Sequence, residues 1–256
     1  SSADWASPLA ARREGEGPRA ITFQTDIYPK VLSLLPADKS LRILDVGAGE
    51  GYFCKLAVED GRTIEACDYS AEQFRMPQVP FHRADLSEGV PLPDASYDVV
   101  LAIEVIEHME DHFRFVRELM RLAKPGGTVI ITTPNVASLS SRMHFFLYGY
   151  NDCAPRPLDP FKPDQHNQHI NPIALPQLLY LVERYGGDVA NVATNRIRRG
   201  SYLPMLTWPL LSFALKRKLL KPRHAKMHDL YRRHIRWMLS RDALMGRITI
   251  VVATKR

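Results

Sequence analysis

Cysteine is scarce in this sequence, and the few cysteines present are not spaced as metal or disulfide motifs. Among 256 residues there are 3 cysteines, Cys54, Cys67 and Cys153, and none of them belongs to a C-x-x-C pair. This spacing argues against a zinc knuckle and against a disulfide framework. It is typical of proteins that fold in a reducing compartment, so we expect a cytoplasmic location.

Long apolar runs are also lacking. None reaches the roughly 18 residues of a membrane-spanning helix, so the sequence predicts no integral membrane segment. Residues 1–17 are polar and small, without the apolar centre of a secretory signal. The hydrophobic content of 45% suffices for one α/β core in a chain of this length. We expect a flexible arm over residues 1–20 and one domain over residues 21–256.

Acidic residues are nearly absent from one segment of the chain. Residues 196–241 carry 13 Lys and Arg side chains and a single acid, Asp229, whereas the net charge of the whole chain is only +6. The remaining residues therefore have a net charge of −6. This asymmetry indicates a separate partner, or a solvated basic face, for the segment.

The chain is organised around residues 43–53, with the sequence ILDVGAGEGYF. The apolar run over residues 41–46 predicts a buried parallel strand, and the glycines after it open a helix near Tyr52. Gly47 and Gly49 lack a Cβ, so the backbone can turn tightly there and a ligand can lie against it, close to the N–H groups of the helix. The sequence therefore predicts a nucleotide cradle.

Two well-known glycine-rich motifs do not match this loop. The dinucleotide fingerprint G-x-G-x-x-G requires a third glycine where the chain has Tyr52, and a P-loop requires a Gly-Lys-Ser/Thr ending that is absent. A glycine-rich turn without a ligand is a structural alternative. The pattern Asp45-x-Gly47-x-Gly49-x-Gly51 instead resembles motif I of the class I S-adenosylmethionine-dependent methyltransferases.

The resemblance covers roughly residues 27–198 and 247–253, including the segments Ser96-Tyr97-Asp98 and Lys124-Pro125-Gly126-Gly127. It implies an α/β, Rossmann-like, seven-stranded doubly wound sheet with an antiparallel strand seven. A basic helical insertion over residues 199–245 would separate strands six and seven. Strands are predicted at 41–46, 63–67, 79–83, 98–103, 128–133, 189–197 and 247–253, and helices at 27–35, 52–60, 111–124 and 173–185.

The cofactor implied by the resemblance is S-adenosylmethionine. Asp68 lies 23 residues after Asp45, at the end of the second strand, where nucleoside-binding α/β folds place a carboxylate that accepts the ribose hydroxyls. An exposed turn aspartate is the alternative. The resemblance assigns Asp85 and Leu86 to the adenine. The full set of expected cofactor residues is Asp45, Gly47, Ala48, Gly49, Asp68, Tyr69, Asp85, Leu86 and Ile103.

The segment Glu104–His112 follows the fourth strand, at the edge where open α/β sheets bind their ligands. Its first five residues resemble the Glu-x-x-Glu-His box of the ubiquinone-type O-methyltransferases and of small-RNA 2′-O-methyltransferases. If the turn is helical from Glu104, Glu107 and His108 share its face. Methyl transfer to a hydroxyl requires a base, and the ordinary pKa of histidine, ~6.5, favours His108. Glu104 and Glu107 would orient it.

A divalent metal ion, Mg²⁺ or Zn²⁺, is an alternative way to activate the hydroxyl. Its ligands would be Glu104, Glu107 and His108, together with His166 or His169. Such an ion would lower the pKa of the hydroxyl and position it. The resemblance leaves the choice open, because a downstream histidine completes a metal site in the small-RNA enzymes whereas other relatives use the box histidine for substrate contact only.

The insertion combines an apolar stretch with a cluster of cations. Residues 202–215 include Trp208 and are followed directly by Lys216-Arg217-Lys218. An apolar stretch too short to span a bilayer, backed by cations, is typical of a helix lying on an anionic membrane, here over residues 202–226. A soluble lid over the crevice is the alternative. Nucleic-acid binding is disfavoured, since the cations interleave with aliphatic rather than aromatic residues.

Together these features predict an O-methyltransferase dependent on S-adenosylmethionine. The predicted acceptor is a hydroxyl of a small or lipid-linked molecule, such as a quinone precursor, a natural product or a glycan, reached from the cytoplasm or at a membrane surface. The alternatives are a metal-dependent RNA 2′-O-methyltransferase and a catalytically silent methyltransferase-like binding scaffold.

Overall fold

The fold is a seven-stranded mixed sheet, seen in a computed structural model that describes residues 26–151, 158, 161, 168–221 and 227–256. The strand order is β3-β2-β1-β4-β5-β7-β6. Strands β1 to β5 pair in parallel, whereas β7 is antiparallel to both β5 and β6. The predicted fold class is confirmed. The strands are β1 Arg42–Val46, β2 Thr63–Asp68, β3 Phe81–Arg83, β4 Tyr97–Ile103, β5 Ala123–Pro134, β6 Gly187–Ala193 and β7 Ile248–Lys255.

Helices cover both faces of this sheet. They are α1 (26–32), α2 Tyr52–Glu59, α3 His112–Leu122, α4 Leu139–Tyr148, α5 Leu175–Arg184, α6 Tyr202–Met205, α7 Trp208–Leu219, α8 His228–Met238 and α9 Arg241–Met245. The Asp111 side chain accepts a hydrogen bond from the Arg114 N–H and so fixes the first turn of α3. α3 then buries one apolar stripe that includes Phe115 and Leu119.

The core has two layers because neighbouring strand residues point to opposite faces of the sheet. Leu44 and Val100 pack in the layer that includes α3 and α5, whereas Ile43 and Val99 pack with α1 and α2. Both faces are covered, which explains why the parallel strands read as continuous apolar runs. The carboxyl edge of the sheet is thereby left as the accessible edge of the parallel strands.

Several predicted element boundaries were wrong, and those of β5 and β6 differ most from the structure. Strand β6 ends at Ala193, and beyond it only Ile197 forms an isolated bridge, with Gly246. Strand β5, predicted over 128–133, begins at Ala123 and therefore includes residues 124–127. A register shift opposite β4 and a left-handed Gly126 (φ +77°) let the strand continue there. Asp98 has a structural role, since its carboxylate accepts from the Arg42 N–H at 3.0 Å and pairs with Lys124 at 2.7 Å.

The described part of the insertion over residues 199–245 is largely helical and comprises α6 to α9. Within the described residues, no helix combines the length and the apolar character that crossing a bilayer requires. The expected arm over residues 1–20 lies outside the described residues, as do His166 and Cys153. Whether the insertion acts as a lid or as a membrane contact stays a prediction.

The buried amide of Asn135 ties the end of β5 to the insertion. Its Nδ2 donates to the carbonyl oxygens of Ala243 at 2.8 Å and Gly246 at 3.1 Å, and its Oδ1 accepts from the Ala137 N–H at 3.2 Å. One side chain therefore satisfies polar groups of α9, of Gly246 between α9 and β7, and of the segment leading into α4.

We expect Asn135→Ala to lower the free energy of unfolding by about 1–3 kcal/mol, because buried carbonyl oxygens lose their donor. Denaturant unfolding measures this. Asn135→Asp keeps an acceptor oxygen but points an anion at two carbonyls, so it should be destabilised at least as much. A tolerated Asp would show that the two donated bonds do not hold this corner together.

Candidate active site

The predicted site residues meet at the carboxyl edge of the sheet. Strands β1, β2, β3 and β4 are parallel neighbours, so the loops that follow them lie side by side. These loops carry the glycines, Asp68, Asp85 and the Glu104–His108 segment. The structure thus brings to one edge the residues that the sequence placed after four separate strands.

The glycine loop is held against the segment that follows β4. The N–H groups of Gly47 and Ala48 donate to the carbonyl of Cys67, at 2.8 and 3.2 Å. Gly47 has a φ of +79°, and a Cβ on it would lie 2.5 Å from Cγ2 of Val105. Gly47 is therefore required by packing.

Gly49 differs from Gly47 in what surrounds it. It also has a positive φ, of +55°, but no atom lies within 4 Å of the place where its Cβ would be. Its N–H donates to Oδ2 of Asp68 at 2.8 Å, and Oδ1 of Asp68 accepts from the Ser70 N–H at 3.3 Å. The Asp68 carboxylate is therefore bonded directly to the glycine loop, and the open side of Gly49 leaves room for a nucleoside to lie beside both.

The other expected cofactor residues differ in exposure and in their contacts. Tyr69 is exposed and lies under the Arg83 guanidinium, 5.7 Å from the ring centroid. Asp85 is exposed, and its Oδ1 accepts from the N–H and the hydroxyl of Ser87. Leu86 and Ile103 pack against the two core layers. Their contacts with a cofactor stay predictions.

Asp45 is buried in β1, just before the loop. The thiol of Cys54 donates to its Oδ2 at 3.6 Å. Burial, with a smaller contribution from the charge of Asp68, raises the pKa of Asp45 to about 7. A cation bound above the loop would favour the ionised carboxylate, which is consistent with a positively charged cofactor there.

Glu104 adopts a left-handed conformation with a φ of +57° and precedes the short 3₁₀ helix Ile106–His108. The turn is therefore not helical from Glu104. The helical face that Glu104 would have shared with Glu107 and His108 does not form. The Thr132 hydroxyl accepts from the Glu104 N–H at 2.9 Å and donates to its Oε1 at 2.8 Å. Burial raises the pKa of Glu104 to about 7. Thr132 thus turns the Glu104 side chain toward β5.

Glu107 is fully buried. Among the described residues no hydrogen bond reaches either of its carboxylate oxygens, and the adjacent Thr133 hydroxyl also lacks a partner. Burial raises the pKa of Glu107 well above its usual value, the charge of Glu104 raises it further, and the proximity of Thr133 offsets this only in part. Such a carboxylate is costly unless it binds a proton or a cation.

The His108 ring has a fixed orientation. Its Nδ1 lies 2.8 Å from the carbonyl oxygen of Gln168, which can only accept, so Nδ1 carries the proton. In the neutral form of the ring, Nε2 is then the nitrogen that can accept a proton. The His169 ring meets His108 edge-on, with centroids 5.0 Å apart, and its Nε2 lies 3.9 Å from Oε1 of Glu107.

Three of the predicted metal ligands are brought together by this arrangement. Glu107, His108 and His169 each offer a ligand atom, and these atoms lie within 4.8 Å of one another. Glu104 is not a member of this group, and His166 lies outside the described residues. The metal site itself stays a prediction.

Several site residues were not identified from the sequence. The Asn171 N–H donates to the Glu107 carbonyl at 3.0 Å, and its Nδ2 donates to the carbonyls of Met109 and Glu110. Asn171 therefore holds the segment with Gln168 and His169 against the 3₁₀ helix. No motif identifies this role, because the partners are about sixty residues apart.

Tyr28 and Arg247 also reach the site from distant parts of the chain. The Tyr28 ring stacks on Tyr52 with centroids 5.9 Å apart, and burial together with the charges of Asp45 and Glu104 raises its pKa. The Arg247 guanidinium lies near enough to Glu104 for each charge to favour the ionised form of the other. Tyr28 is thus close to both acids, and Arg247 is close to Glu104.

Comparison with known proteins agrees with this geometry. A family model described as a methyltransferase domain matches residues 21–191. A probable S-adenosylmethionine-dependent methyltransferase of Mycolicibacterium smegmatis is 34% identical over 142 residues, which are 54% of this chain and 49% of that protein. The ubiquinone biosynthesis O-methyltransferase of a Chelativorans species is 29% identical over 105 residues, 38% of this chain and 42% of that protein.

The structural comparison agrees at the level of the fold. The crystal structure of a SAM-dependent methyltransferase from Archaeoglobus fulgidus has a TM-score of 0.56 and 20% identity, with 90% of this chain and 93% of that chain covered. The matched regions make up only about half the length of the curated relatives. Because the family model matches well over half of the sequence, the chain belongs to the methyltransferase domain family, whose S-adenosylmethionine-dependent members share this fold.

Proposed function

We propose that this protein transfers a methyl group from S-adenosylmethionine to a hydroxyl of a small or lipid-linked acceptor. The observation that carries the proposal is the fixed orientation of His108, whose Nδ1–H is held by the Gln168 carbonyl beside the buried Glu107. A base with a defined lone pair suits an acceptor that must lose a proton, as a hydroxyl must. The O-methyltransferase name of one relative supports the same choice.

The cofactor space supports the first half of this function. Asp68 would accept the ribose hydroxyls, and the open side of Gly49 would let the nucleoside lie against the backbone. When bound, the cofactor supplies a methyl carbon made electrophilic by its positive sulfur. The ionisable Asp45 below the loop would favour such a cation electrostatically.

The segment after β4 supports the second half. The acceptor oxygen forms a bond to the methyl carbon as the carbon–sulfur bond breaks, and the acceptor proton passes to Nε2 of His108. The products are the methyl ether, S-adenosylhomocysteine and a proton. Glu107 favours the protonated form of the two histidines beside it once it is ionised. The chain thus contributes alignment and a proton acceptor.

The residues also fit a divalent metal. Glu107 has two buried oxygens that no described residue satisfies, and His108 and His169 offer imidazole nitrogens within the same 4.8 Å group. One carboxylate and two imidazoles suit zinc and other transition metals better than Mg²⁺, which prefers oxygen ligands. A bound ion would lower the pKa of the acceptor hydroxyl. The same cluster favours the second candidate function, a metal-dependent RNA 2′-O-methyltransferase.

The reaction class is tested by mass spectrometry of products after incubation with S-adenosylmethionine and one of four acceptors: a catechol, a polyprenyl-phosphate glycan, an RNA duplex or a primary amine. Methylation of a hydroxyl-bearing acceptor supports the proposal. Methylation of the amine alone contradicts O-methylation, and RNA methylation alone selects the second candidate. A protein that binds S-adenosylhomocysteine calorimetrically but methylates none of the four acceptors would be consistent with a binding scaffold.

Gly49→Ala tests the cofactor space, with Gly61→Ala as its matched control. Both glycines have a positive φ, +55° and +77°, and neither has an atom within 4 Å of its missing Cβ. Each substitution should therefore cost about 1–2 kcal/mol of stability through backbone strain. Only Gly49→Ala should weaken S-adenosylhomocysteine binding in calorimetry, by roughly tenfold or more, because its methyl group enters the ligand space. Equal affinities for the two variants would place the cofactor elsewhere.

His108→Gln should lower kcat by about 10²–10⁴-fold on the acceptor that is methylated, because the amide cannot take up the proton. Binding of S-adenosylhomocysteine should stay unchanged. The control is His234→Gln in α8, which removes an imidazole that contacts Glu183 at 3.0 Å. A His108→Gln enzyme with full kcat would remove the base from the mechanism.

Glu107→Gln tests the metal site against Glu110→Gln, an exposed neighbour three residues away. Calorimetric titration with Zn²⁺ should show binding by the parent protein and by Glu110→Gln. Glu107→Gln should bind Zn²⁺ with roughly 100-fold or more lower affinity. Loss of a direct ligand should weaken metal binding more than loss of an outer-shell partner does. Without metal, Glu107→Gln should unfold at a higher temperature, because a buried amide costs less than a buried carboxylate. Failure of the parent protein to bind Zn²⁺ or Mg²⁺ would remove the ion from the proposal.

A further inference from the structure

Two neighbouring helices expose apolar side chains where helices ordinarily expose polar ones. In α7 and the residue pair before it, Leu206, Leu210 and Phe213 are spaced as one helical stripe and are 77%, 71% and 61% exposed. On the opposite side Ser212 is buried and Leu211 is half-buried. The outward face is therefore at least as apolar as the packed face, the reverse of an ordinary surface helix.

Helix α4 shows the same inversion. Phe146 is 81% exposed, and Phe145 and Leu147 are also exposed, whereas Leu139 and Ser141 at the start of the helix are buried. Side chains of this size are seldom left in water side by side without a function. We call the exposed side chains of Phe145, Phe146, Leu147, Leu206, Leu210 and Phe213 the outer apolar surface.

The two helices are packed into one unit. Leu211 of α7 and Met205 of α6 pack against a small core made by Leu139, Leu244 and Met245. A Cβ on Gly200, just before α6, would lie 3.3 Å from Oγ of Ser140 in α4. The Trp208 indole N–H also donates to the Leu239 carbonyl at 3.4 Å. The outer apolar surface is thus carried by anchored helices.

Cations without acids accompany this surface. Residues 189–228 contain nine Lys and Arg and no Asp or Glu. Lys216, Arg217 and Lys218 form the exposed last turn of α7, and the exposed Lys221 follows. Long cationic side chains can keep their charge in the headgroup layer while their stems lie along apolar surface. The complementary partner is apolar and anionic together.

We propose that the outer apolar surface, with Lys216, Arg217, Lys218 and Lys221, docks onto an anionic lipid bilayer. With 12 residues, α7 extends about 18 Å, too short to cross a hydrocarbon core of ~30 Å, so it lies in the interface. Self-association would bring two acid-free cationic segments together. RNA would call for aromatic side chains interleaved with the cations, whereas the cations here follow aliphatic residues.

The docking surface adjoins the edge of the sheet that carries the site. The Arg247 N–H donates to the Arg196 carbonyl at 3.0 Å, so the start of β7 joins the segment that leads into α6. The Arg247 charge in turn acts on Glu104. Together with the proposed function, on which this conclusion rests, the adjacency favours an acceptor that stays in the bilayer while its hydroxyl is methylated. Lipid binding itself does not depend on that function.

The test is co-sedimentation of the whole chain with phosphatidylcholine vesicles that either contain or lack phosphatidylglycerol. The parent protein should bind the anionic vesicles at low salt and bind more weakly as salt increases. Leu210→Gln/Phe213→Gln should reduce the partition coefficient roughly tenfold or more, because two large apolar side chains leave the bilayer. Lys216→Gln/Lys218→Gln should also reduce it roughly tenfold, but only on anionic vesicles.

Matched controls change the same chemistry elsewhere on the protein. Val58→Gln/Tyr180→Gln removes two other exposed apolar side chains, and Arg117→Gln/Arg184→Gln removes two other exposed cations. These variants should bind vesicles as the parent does. Thermal unfolding and S-adenosylhomocysteine binding, measured on every variant, separate loss of docking from loss of fold.

Four outcomes would overturn the proposal. They are no vesicle binding by the parent protein at low salt, equal binding by the docking variants and their controls, binding to RNA but not to vesicles, and concentration-dependent self-association through Leu210 and Phe213 without vesicle binding. Vesicle binding by a protein that methylates no hydroxyl acceptor would support the docking surface and contradict the proposed function. Methylation of a hydroxyl acceptor without vesicle binding would support the proposed function and contradict the docking surface.

Discussion

The contact between Gly47 and Val105 joins the two halves of the candidate site. Val105 belongs to the segment with Glu104, Glu107 and His108, and its Cγ2 occupies the space that a Cβ on Gly47 would need. The loop that would hold the cofactor therefore rests directly on the turn that would hold the acceptor. Because transfer between two bound molecules requires close and constant geometry, direct packing of the two segments is an economical way to fix it.

The parts of this molecule that were predictable are those whose physics is local. The parallel strands are recognisable because their apolar residues alternate between the two core layers. Glycine is needed at position 47 because a Cβ would collide with Val105, and glycine at position 49 keeps the adjacent space open. Asp68 could be placed from its position at the end of β2, because neighbouring parallel strands end at the same edge. Even the boundary errors are local, since a bulge at Gly126 extends β5 where proline and glycine usually indicate a turn.

The remaining parts depend on contacts between distant positions in the chain. Asn171 holds His169 near His108 through bonds to backbone carbonyls, which any residue could supply at those positions, so neither partner carries a recognisable pattern. Thr132 turns Glu104 away from the helical path expected for it, because its hydroxyl bonds both the Glu104 N–H and the carboxylate. Spacing within the Glu-x-x-Glu-His box could not reveal which of its acids joins the histidines.

Two features of the described residues are unfavourable by ordinary folding preferences. Glu107 places in the interior a carboxylate to which no described residue donates a hydrogen bond, and the outer apolar surface places Phe146 and Leu210 in water. Each is unfavourable for the isolated chain, so each would be removed by substitution if stability alone mattered. A cation or proton bound at Glu107 would offset the cost of burying its carboxylate. A lipid surface against α4 and α7 would offset the cost of exposing their apolar side chains to water. Arg247 contacts both neighbourhoods, because its N–H donates to the Arg196 carbonyl in the segment that leads into α6 and its charge favours the ionised form of Glu104.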